Sequence, residues 1–212
     1  LVGRRIGDMG GYDYMDFIVP GLIMMSVIQN SYSNVVSSFF SHKFQRSIEE
    51  LLVSPVPNYI ILLGFIVGGM ARGLAGGGIV TTMAILFGGL TIENPFITLT
   101  VILLTSTVFA MAGFINAIFA NSFDDISIIP TFVLTPLIYL GGVFYSIQLL
   151  PPFWQTVTLF NPVVYLISGF RWSFYGVSDV NVATSIAMIL FFLSIALVIV
   201  WQIFRTGYQL RK

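Results

Sequence analysis

Long apolar runs constrain this chain more than any other feature of its sequence. A helix needs about 20 mostly apolar residues to cross the ~30 Å hydrocarbon core of a bilayer. Five stretches are long and apolar enough: roughly 17–40, 60–89, 97–119, 128–147 and 183–204. With 57% hydrophobic residues and a mean hydropathy of +0.94, the chain differs from soluble domains, whose apolar share is nearer ~45–50%. We therefore predict an all-α fold, a polytopic membrane helical bundle that forms a single transmembrane domain over residues 1–212.

The charge balance and the cysteine count exclude several classes of function. Nine basic and nine acidic residues give a formal net charge of zero, so no electrostatic feature favours a nucleic-acid partner. The chain has no cysteine and a single histidine, which argues against disulfides, thiol nucleophiles and His-based metal sites. No pair of carboxylates lies within an apolar run, which argues against a membrane-embedded enzyme. We expect no catalytic residue and no metal site in this chain.

Residues 148–182 are aromatic and apolar but too interrupted to form a span. Proline and asparagine break the segment at Pro151, Pro152, Asn161 and Pro162. Such breaks favour two short helices that enter the membrane and return to the same side. Most of the aromatic residues here fit a belt at the membrane interface. Arg171 does not fit that belt, and we expect it either to pair with Asp179 or to meet an anionic group of a substrate.

The charged segment 41–57, SHKFQRSIEELLVSPVP, lies between the first two apolar runs. Ser47 suits a helix N-cap, Glu50 three residues later completes a capping box, and Pro55 ends the helix. Three apolar residues fall on one face of that helix: Ile48, Leu51 and Leu52. Two interpretations remain open, an amphipathic linker on the bilayer surface and a helix that docks on another protein.

The distribution of basic residues gives an orientation. If 41–57 is cytoplasmic, five basic residues lie inside: Lys43, Arg46, Arg205, Arg211 and Lys212. Only Arg4, Arg5 and Arg171 then lie outside, in agreement with the positive-inside rule. Five spans with a cytoplasmic C-terminus put Leu1 outside, so we expect at least one further span before Leu1.

The first apolar run carries two polar rows with a spacing of four residues. The rows are Gln29, Ser33 and Ser37, and Asn30, Asn34 and Ser38. Unpaired polar groups are costly in lipid, so this stripe should face other helices or a hydrated path. Hydrogen bonding between helices and a substrate-lining surface both remain open as interpretations.

Three further patterns give local predictions. Glycines at four-residue intervals, among them Gly69, Gly73 and Gly77, favour close helix packing. Asp124 and Asp125 suit a solvated helix N-terminus better than a cation site. Pro136, inside an apolar run, should kink its helix.

Two stretches resemble the membrane-spanning subunit of ABC-2-type exporters. Residues 136–172 read PLIYLGGVFYSIQLLPPFWQTVTLFNPVVYLISGFRW, and residues 47–57 read SIEELLVSPVP. The first resembles the family's span end, Leu-Pro-Pro turn and paired outer helices, and the second its cytoplasmic coupling helix. The resemblance implies the ABC-2 (type V) exporter fold with six spans, of which five are present here. It also implies a multi-pass protein of the bacterial inner membrane.

What the resemblance implies about function is a permease that dimerises and sits on a separate ATPase subunit. Contacts with the ATPase would come from Ser47, Glu49, Glu50, Leu51 and Leu52. An outer gate would include Phe144, Pro151, Pro152, Trp154 and Arg171. If the polar stripe lines the pathway, its residues there are Gln29, Asn30, Ser33, Asn34 and Ser37.

The expected partners are the ATPase subunit, a second copy of the permease and membrane lipid. The chain contains no Gly-rich phosphate loop ending in Gly-Lys-Ser or Gly-Lys-Thr, so we expect it to bind no cofactor. ATP and Mg would be used by the partner subunit. The alternative is an ion-coupled secondary transporter, although such proteins usually carry acidic groups at mid-membrane or inverted repeats, and the sequence shows neither.

Overall fold

The fold is known from a computed structural model that describes residues 8–9, 12–48, 50, 55–88, 92–176 and 178–206. These residues are almost entirely helical, which confirms the predicted all-α membrane bundle. A two-residue antiparallel pair precedes the helices, with β1 (Asp8–Met9) beside β2 (Tyr12–Asp13). The α-helices are α1 (Tyr14–Phe44), α2 (Asn58–Gly88), α3 (Pro95–Phe119), α4 (Phe123–Ile128), α5 (Thr135–Ile138), α6 (Pro152–Thr158), α7 (Pro162–Tyr175) and α8 (Val182–Thr206). Two π-helical segments, Ile129–Leu134 and Tyr139–Val143, flank α5, and a 3-10 turn covers Ile147–Leu149.

Four helical stretches among the described residues are long and apolar enough to cross a membrane. They are Tyr59–Phe87, Pro95–Phe119, Phe123–Val143 and Val182–Arg205, and they overlap four of the five predicted spans. The remaining predicted span, 17–40, lies within α1, which is 31 residues long and therefore about 46 Å at 1.5 Å per residue. Its polar rows lower its hydropathy, so α1 does not belong to that apolar set.

The position of α1 explains how the bundle accommodates its polarity. Along one face, Ile23, Met24, Val27, Ile28 and Val35 are fully buried. This face packs against α2 and α3, with α7 in contact as well. Because other helices surround much of α1, hydrogen bonds and close packing replace lipid contact along it.

The glycines of α2 allow that helix to lie directly on α1. A Cβ added to Gly69 would lie 3.0 Å from the carbonyl oxygen of Ser31. One added to Gly73 would collide with Ser31 Oγ and lie 3.2 Å from the carbonyl oxygen of Val27. The predicted role of this glycine row in helix packing is therefore confirmed. Gly64, one turn outside the contact, faces open space.

The stretch 123–143 combines α-helix with wider π turns on both sides of Pro136. The backbone N–H of Thr135 donates to the carbonyl oxygen of Pro130, five residues earlier, and its hydroxyl donates to the same oxygen at 2.7 Å. Proline removes an N–H and crowds the preceding turn, and π turns are a known response to such disruption. Gly142, one residue before the end of the second π segment, has a φ of +82°, which favours glycine.

Residues 148–182 contain two short helices, α6 and α7, as the breaks in the sequence predict. Asn161 begins α7, where its Oδ1 accepts a hydrogen bond from the Val163 N–H at 3.0 Å. Its Nδ2 donates to the carbonyl oxygen of Leu137 at 2.7 Å and so attaches the start of α7 to α5. Gly176, with φ +66°, ends α7 in the left-handed conformation.

Candidate functional site

The segment between α1 and α2 begins with a sharp backbone change. Arg46 has a φ of +59°, and its N–H donates to the carbonyl oxygen of Lys43 at 3.1 Å. A left-handed residue of this kind ends a helix and redirects the chain. Ser47, Ile48 and Glu50 are again helical. The other three candidates for ATPase contact, Glu49, Leu51 and Leu52, lie outside the described residues.

Ile48 attaches this segment to the bundle. Its side chain is 6% exposed and belongs to the main hydrophobic core. The Ser47 hydroxyl donates to the carbonyl oxygen of His42 at 3.2 Å, and its capping of a helix stays a prediction. Glu50 is exposed. The segment thus has one buried anchor and a charged group that remains available to another molecule.

Lys43 connects the end of α1 to the end of α3. Its Nζ donates to the carbonyl oxygens of Ile118 at 2.6 Å and Ala120 at 2.9 Å. Partial burial lowers the pKa of the Lys43 ammonium. A cation at a helix C-terminus satisfies carbonyls that have no partner within the helix and complements the helix dipole. Our site prediction missed this residue, although its place in the last turn of a long helix was visible in the sequence.

The turn from α3 to α4 is closed by a capping box. Ser122 Oγ accepts from the Asp125 N–H at 3.1 Å, and Asp125 Oδ2 accepts from the N–H groups of Ser122 at 3.1 Å and Asn121 at 2.9 Å. Asp124 lies in the same first turn. The prediction that these two carboxylates mark a helix N-terminus is therefore confirmed, and Asp125 is used in capping.

The polar stripe of α1 divides into a covered part and an open part. Asn30 and Asn34 are half-buried and face α2, where a Cβ added to Gly68 would lie 3.7 Å from Asn34 Oδ1. Ser33 and Ser37 are exposed, and the Ser37 hydroxyl donates to the carbonyl oxygen of Ser33 at 2.6 Å. Gln29 is half-buried. The open serines meet part of their hydrogen-bonding need within α1, and their role in a pathway stays a prediction.

At the opposite end of the bundle, Arg171 is the centre of a buried polar network. Its Nη1 donates to Asp179 Oδ2 at 2.9 Å, and Nη2 donates to the carbonyl oxygen of Gly142 at 2.7 Å. The side chains of Arg171 and Asp179 are only 4% and 8% exposed. The guanidinium lies 3.8 Å from the centre of the Phe17 ring, and Asp179 also accepts from Ser146 Oγ. The predicted pairing with Asp179 is confirmed.

The structure does not bring the five proposed gate residues together. Arg171 is buried, whereas Pro151, Pro152 and Trp154 are exposed. The half-buried Phe144 stacks on Tyr139 with ring centres 5.4 Å apart. The network of Arg171 therefore holds α7 in place, while Trp154 lies in the wall of a neighbouring cavity.

That cavity is apolar and has a volume of about 550 Å³. It lies between α6 and the end of the 123–143 stretch, with Leu137, Leu140 and Trp154 in its wall. Two of the polar side chains in its wall bond to backbone atoms. Asn161 Nδ2 donates to the carbonyl oxygen of Leu137, and the Tyr145 hydroxyl donates to that of Leu140 at 2.9 Å.

Comparison with known proteins gives consistent matches over most of the chain. A family model described as "ABC-2 type transporter" matches residues 2–175. The inner membrane transport permease YadH of Escherichia coli K12 is 54% identical over 213 aligned positions, which include all of this chain and 83% of that protein. Nodulation protein J of Rhizobium meliloti is 29% identical over 204 positions, or 92% of this chain and 78% of the relative. Nodulation protein J of Rhizobium leguminosarum bv. trifolii is 27% identical over 203 positions, with the same coverage of both chains.

Proposed function

Because this chain belongs to the ABC-2 type transporter family, we propose that it is the membrane-spanning permease of an ATP-driven exporter. It is a transport permease and a multi-pass protein of the inner membrane. In the proposal, two copies enclose the translocation pathway, and a separate ATPase subunit that uses ATP and Mg drives transport. The chain itself then performs no hydrolysis.

The segment 41–57 carries the proposal of coupling to the ATPase. It begins in the last turn of the long helix α1, is fixed to the core at Ile48, and exposes Gln45, Arg46 and Glu50. A linker on the bilayer surface would bury its apolar face in lipid, whereas Ile48 is buried in the core of the protein. A helix that transmits the movement of a partner needs exposed charges to contact the partner. It also needs an attachment to the core, because the movement reaches the bundle through that attachment.

The open part of the α1 stripe supports the proposed pathway. Ser33 and Ser37 are polar and exposed in the middle of a helix that is otherwise deeply packed. In a membrane, such groups are stable beside another protein surface or water and are costly beside lipid. In the proposal they face the second copy across a hydrated path.

Charge reversal in the segment tests the coupling. In the complete natural protein assembled with its ATPase, the double substitution Glu49→Lys and Glu50→Lys is expected to abolish the stimulation of ATPase activity by the permease. The measurement compares the ATPase rate with and without permease in lipid vesicles. Asp124→Lys is the matched control, since it reverses an exposed carboxylate in the α3–α4 turn, and it should leave the stimulation intact.

Full stimulation by the double variant, at normal membrane insertion, would refute the coupling role. Transport that continues without ATP and collapses with the proton gradient would instead identify an ion-coupled secondary transporter.

A further inference from the structure

The hydrogen bonds of Lys43 join two parts of the chain that are distant in sequence. Its partners, Ile118 and Ala120, are 75 and 77 residues away. Both carbonyls belong to the end of α3, where the helix itself supplies no donor. Bonds from an ammonium to such oxygens are charge-assisted and stronger than neutral ones. Lys43 lies in the last turn of α1 and only three residues before Arg46, where the chain of the 41–57 segment turns away from the helix.

Packing makes the end of α1 and the α3–α4 turn one continuous unit. The Phe123 ring contacts Phe40 and Phe44, with ring centres 4.9 and 5.1 Å apart. Asn116 Nδ2 donates to the Tyr32 hydroxyl of α1 at 2.8 Å and to the carbonyl oxygen of Ile126 at 3.4 Å. A displacement of the end of α1 must therefore displace the turn or break these contacts.

The other end of the 41–57 segment has no comparable attachment to the bundle in the described residues. Pro55, Val56 and Pro57 are exposed, and so are Tyr59 and Ile60 in the first turn of α2.

Beyond the turn, the same helical stretch reaches the opposite end of the bundle. α4 continues through the two π segments to Gly142, whose carbonyl oxygen accepts from Arg171. The α3–α4 turn is therefore the cytoplasmic end of an element whose far end is fixed by the buried network around Arg171.

We propose that Lys43 is the positioning residue through which movement of the 41–57 segment reaches the α3–α4 turn. The inference rests on the proposed coupling of this segment to an ATPase. It assigns the charged link in this transmission to Lys43, beside the apolar contacts of Phe123, and it predicts that the segment can still respond to the ATPase while the turn responds much less.

The 212 residues contain no cysteine, so thiols introduced here can be read singly once any cysteines elsewhere in the complete protein and in the ATPase have been replaced by serine. Gln45→Cys reports on the segment and Asn121→Cys on the turn, since both positions are exposed. In the complete protein with its ATPase in nanodiscs, the maleimide labelling rate of each thiol is measured without nucleotide and after trapping with ATP and vanadate. Both rates should change on trapping in the parent protein. Lys43→Met should greatly reduce the change at position 121 and keep the change at position 45.

Two controls separate transmission from a loss of charge or of folding. Lys43→Arg retains the cation and its donors and should restore the response at 121. Arg205→Met removes an exposed cation at the end of α8 and should leave both responses intact. If Lys43→Met does not assemble, Lys43→Gln takes its place, since it shortens the side chain and removes its charge. The expected result is again a greatly reduced response at position 121 with the response at position 45 retained.

The labelling rates at positions 45 and 121 separate a failure of the Lys43 link from a failure of the proposed coupling to the ATPase. A parent protein in which position 45 does not respond to trapping overturns the coupling role of the segment and the inference with it. A response at 45 together with an unchanged response at 121 in Lys43→Met overturns the inference alone, as does a parent in which 45 responds and 121 does not.

Discussion

Replacement of Arg171 by methionine should be among the most destabilising single substitutions in this bundle. The variant keeps most of the apolar length of the side chain and removes every donor. It leaves the Asp179 carboxylate 8% exposed at the side chain, with Ser146 Oγ as a remaining donor. It also leaves the Gly142 carbonyl oxygen without its bond from the guanidinium.

The magnitude follows from which of these losses dominates. Removal of one partner from a buried ion pair costs about 3–5 kcal/mol, because a buried charge is left uncompensated. The bond to Gly142 and the contact with the Phe17 ring contribute about 1.5–3 and 0.5–2 kcal/mol in comparable settings. These contributions are not additive within one network, so the expected loss in the free energy of unfolding is about 3–5 kcal/mol.

A double-mutant cycle isolates the pair. Asp179→Asn removes the carboxylate charge at nearly constant shape, and the double variant with Arg171→Met leaves neither charge buried. We expect the double variant to be more stable than the sum of the single effects predicts, by about 0.5–3 kcal/mol. Unfolding is followed in mixed detergent micelles by tryptophan fluorescence, for which Trp172 lies next to Arg171.

Arg205→Met provides the matched control, since Arg205 is exposed and stacks on Trp201 at 5.3 Å. Its removal should change the free energy of unfolding by no more than about 0.5 kcal/mol. The reasoning fails if Arg171→Met behaves like this control, or if the two single effects simply add.

Two further substitutions test local packing and capping by the same unfolding measurement. Gly73→Ala should destabilise the protein by about 1–3 kcal/mol because the added Cβ collides with Ser31. Gly64 faces open space, so Gly64→Ala should be neutral or stabilise by up to about 1 kcal/mol. Equal effects of the two substitutions would contradict the packing role of Gly73. Ser122→Ala should lower the free energy of unfolding by about 1 kcal/mol because it removes the N-cap of α4. Ser127→Ala removes an exposed hydroxyl and should lower it by less. A larger effect at Ser127 would refute the capping role of Ser122.

Features governed by neighbours along the chain could be predicted from the sequence. Apolar length predicted the spans, and prolines predicted two short helices in 148–182. Arg171 and Asp179 are eight residues apart and lie on either side of the end of α7. This short separation favours contact between them whatever the rest of the fold. Asp125 forms its capping box within one turn, for which local chemistry is sufficient.

Features that depend on distant parts of the chain could not be predicted. Arg171 donates to the carbonyl oxygen of Gly142, a left-handed glycine within a π segment. Hydropathy predicts neither the left-handed backbone nor the π segment. The bonds of Lys43 require α3 to end beside α1, and this follows only from the assembled bundle. The sequence shows that one face of α1 is fully apolar. It does not show that other helices cover this face, because burial by helices and burial in lipid favour the same residues.

The contact between Lys43 and α3 also has a consequence for the order in which the protein is built. At the moment α1 leaves the ribosome, the carbonyl oxygens that will hold its end lie 75 and 77 residues downstream and have not yet been synthesised. The end of α1, and with it the start of the 41–57 segment, can reach its final position only after α2 and α3 have entered the membrane. In the proposed complex, the surface offered to the ATPase would thus become complete late in biogenesis, after the core of the bundle has assembled.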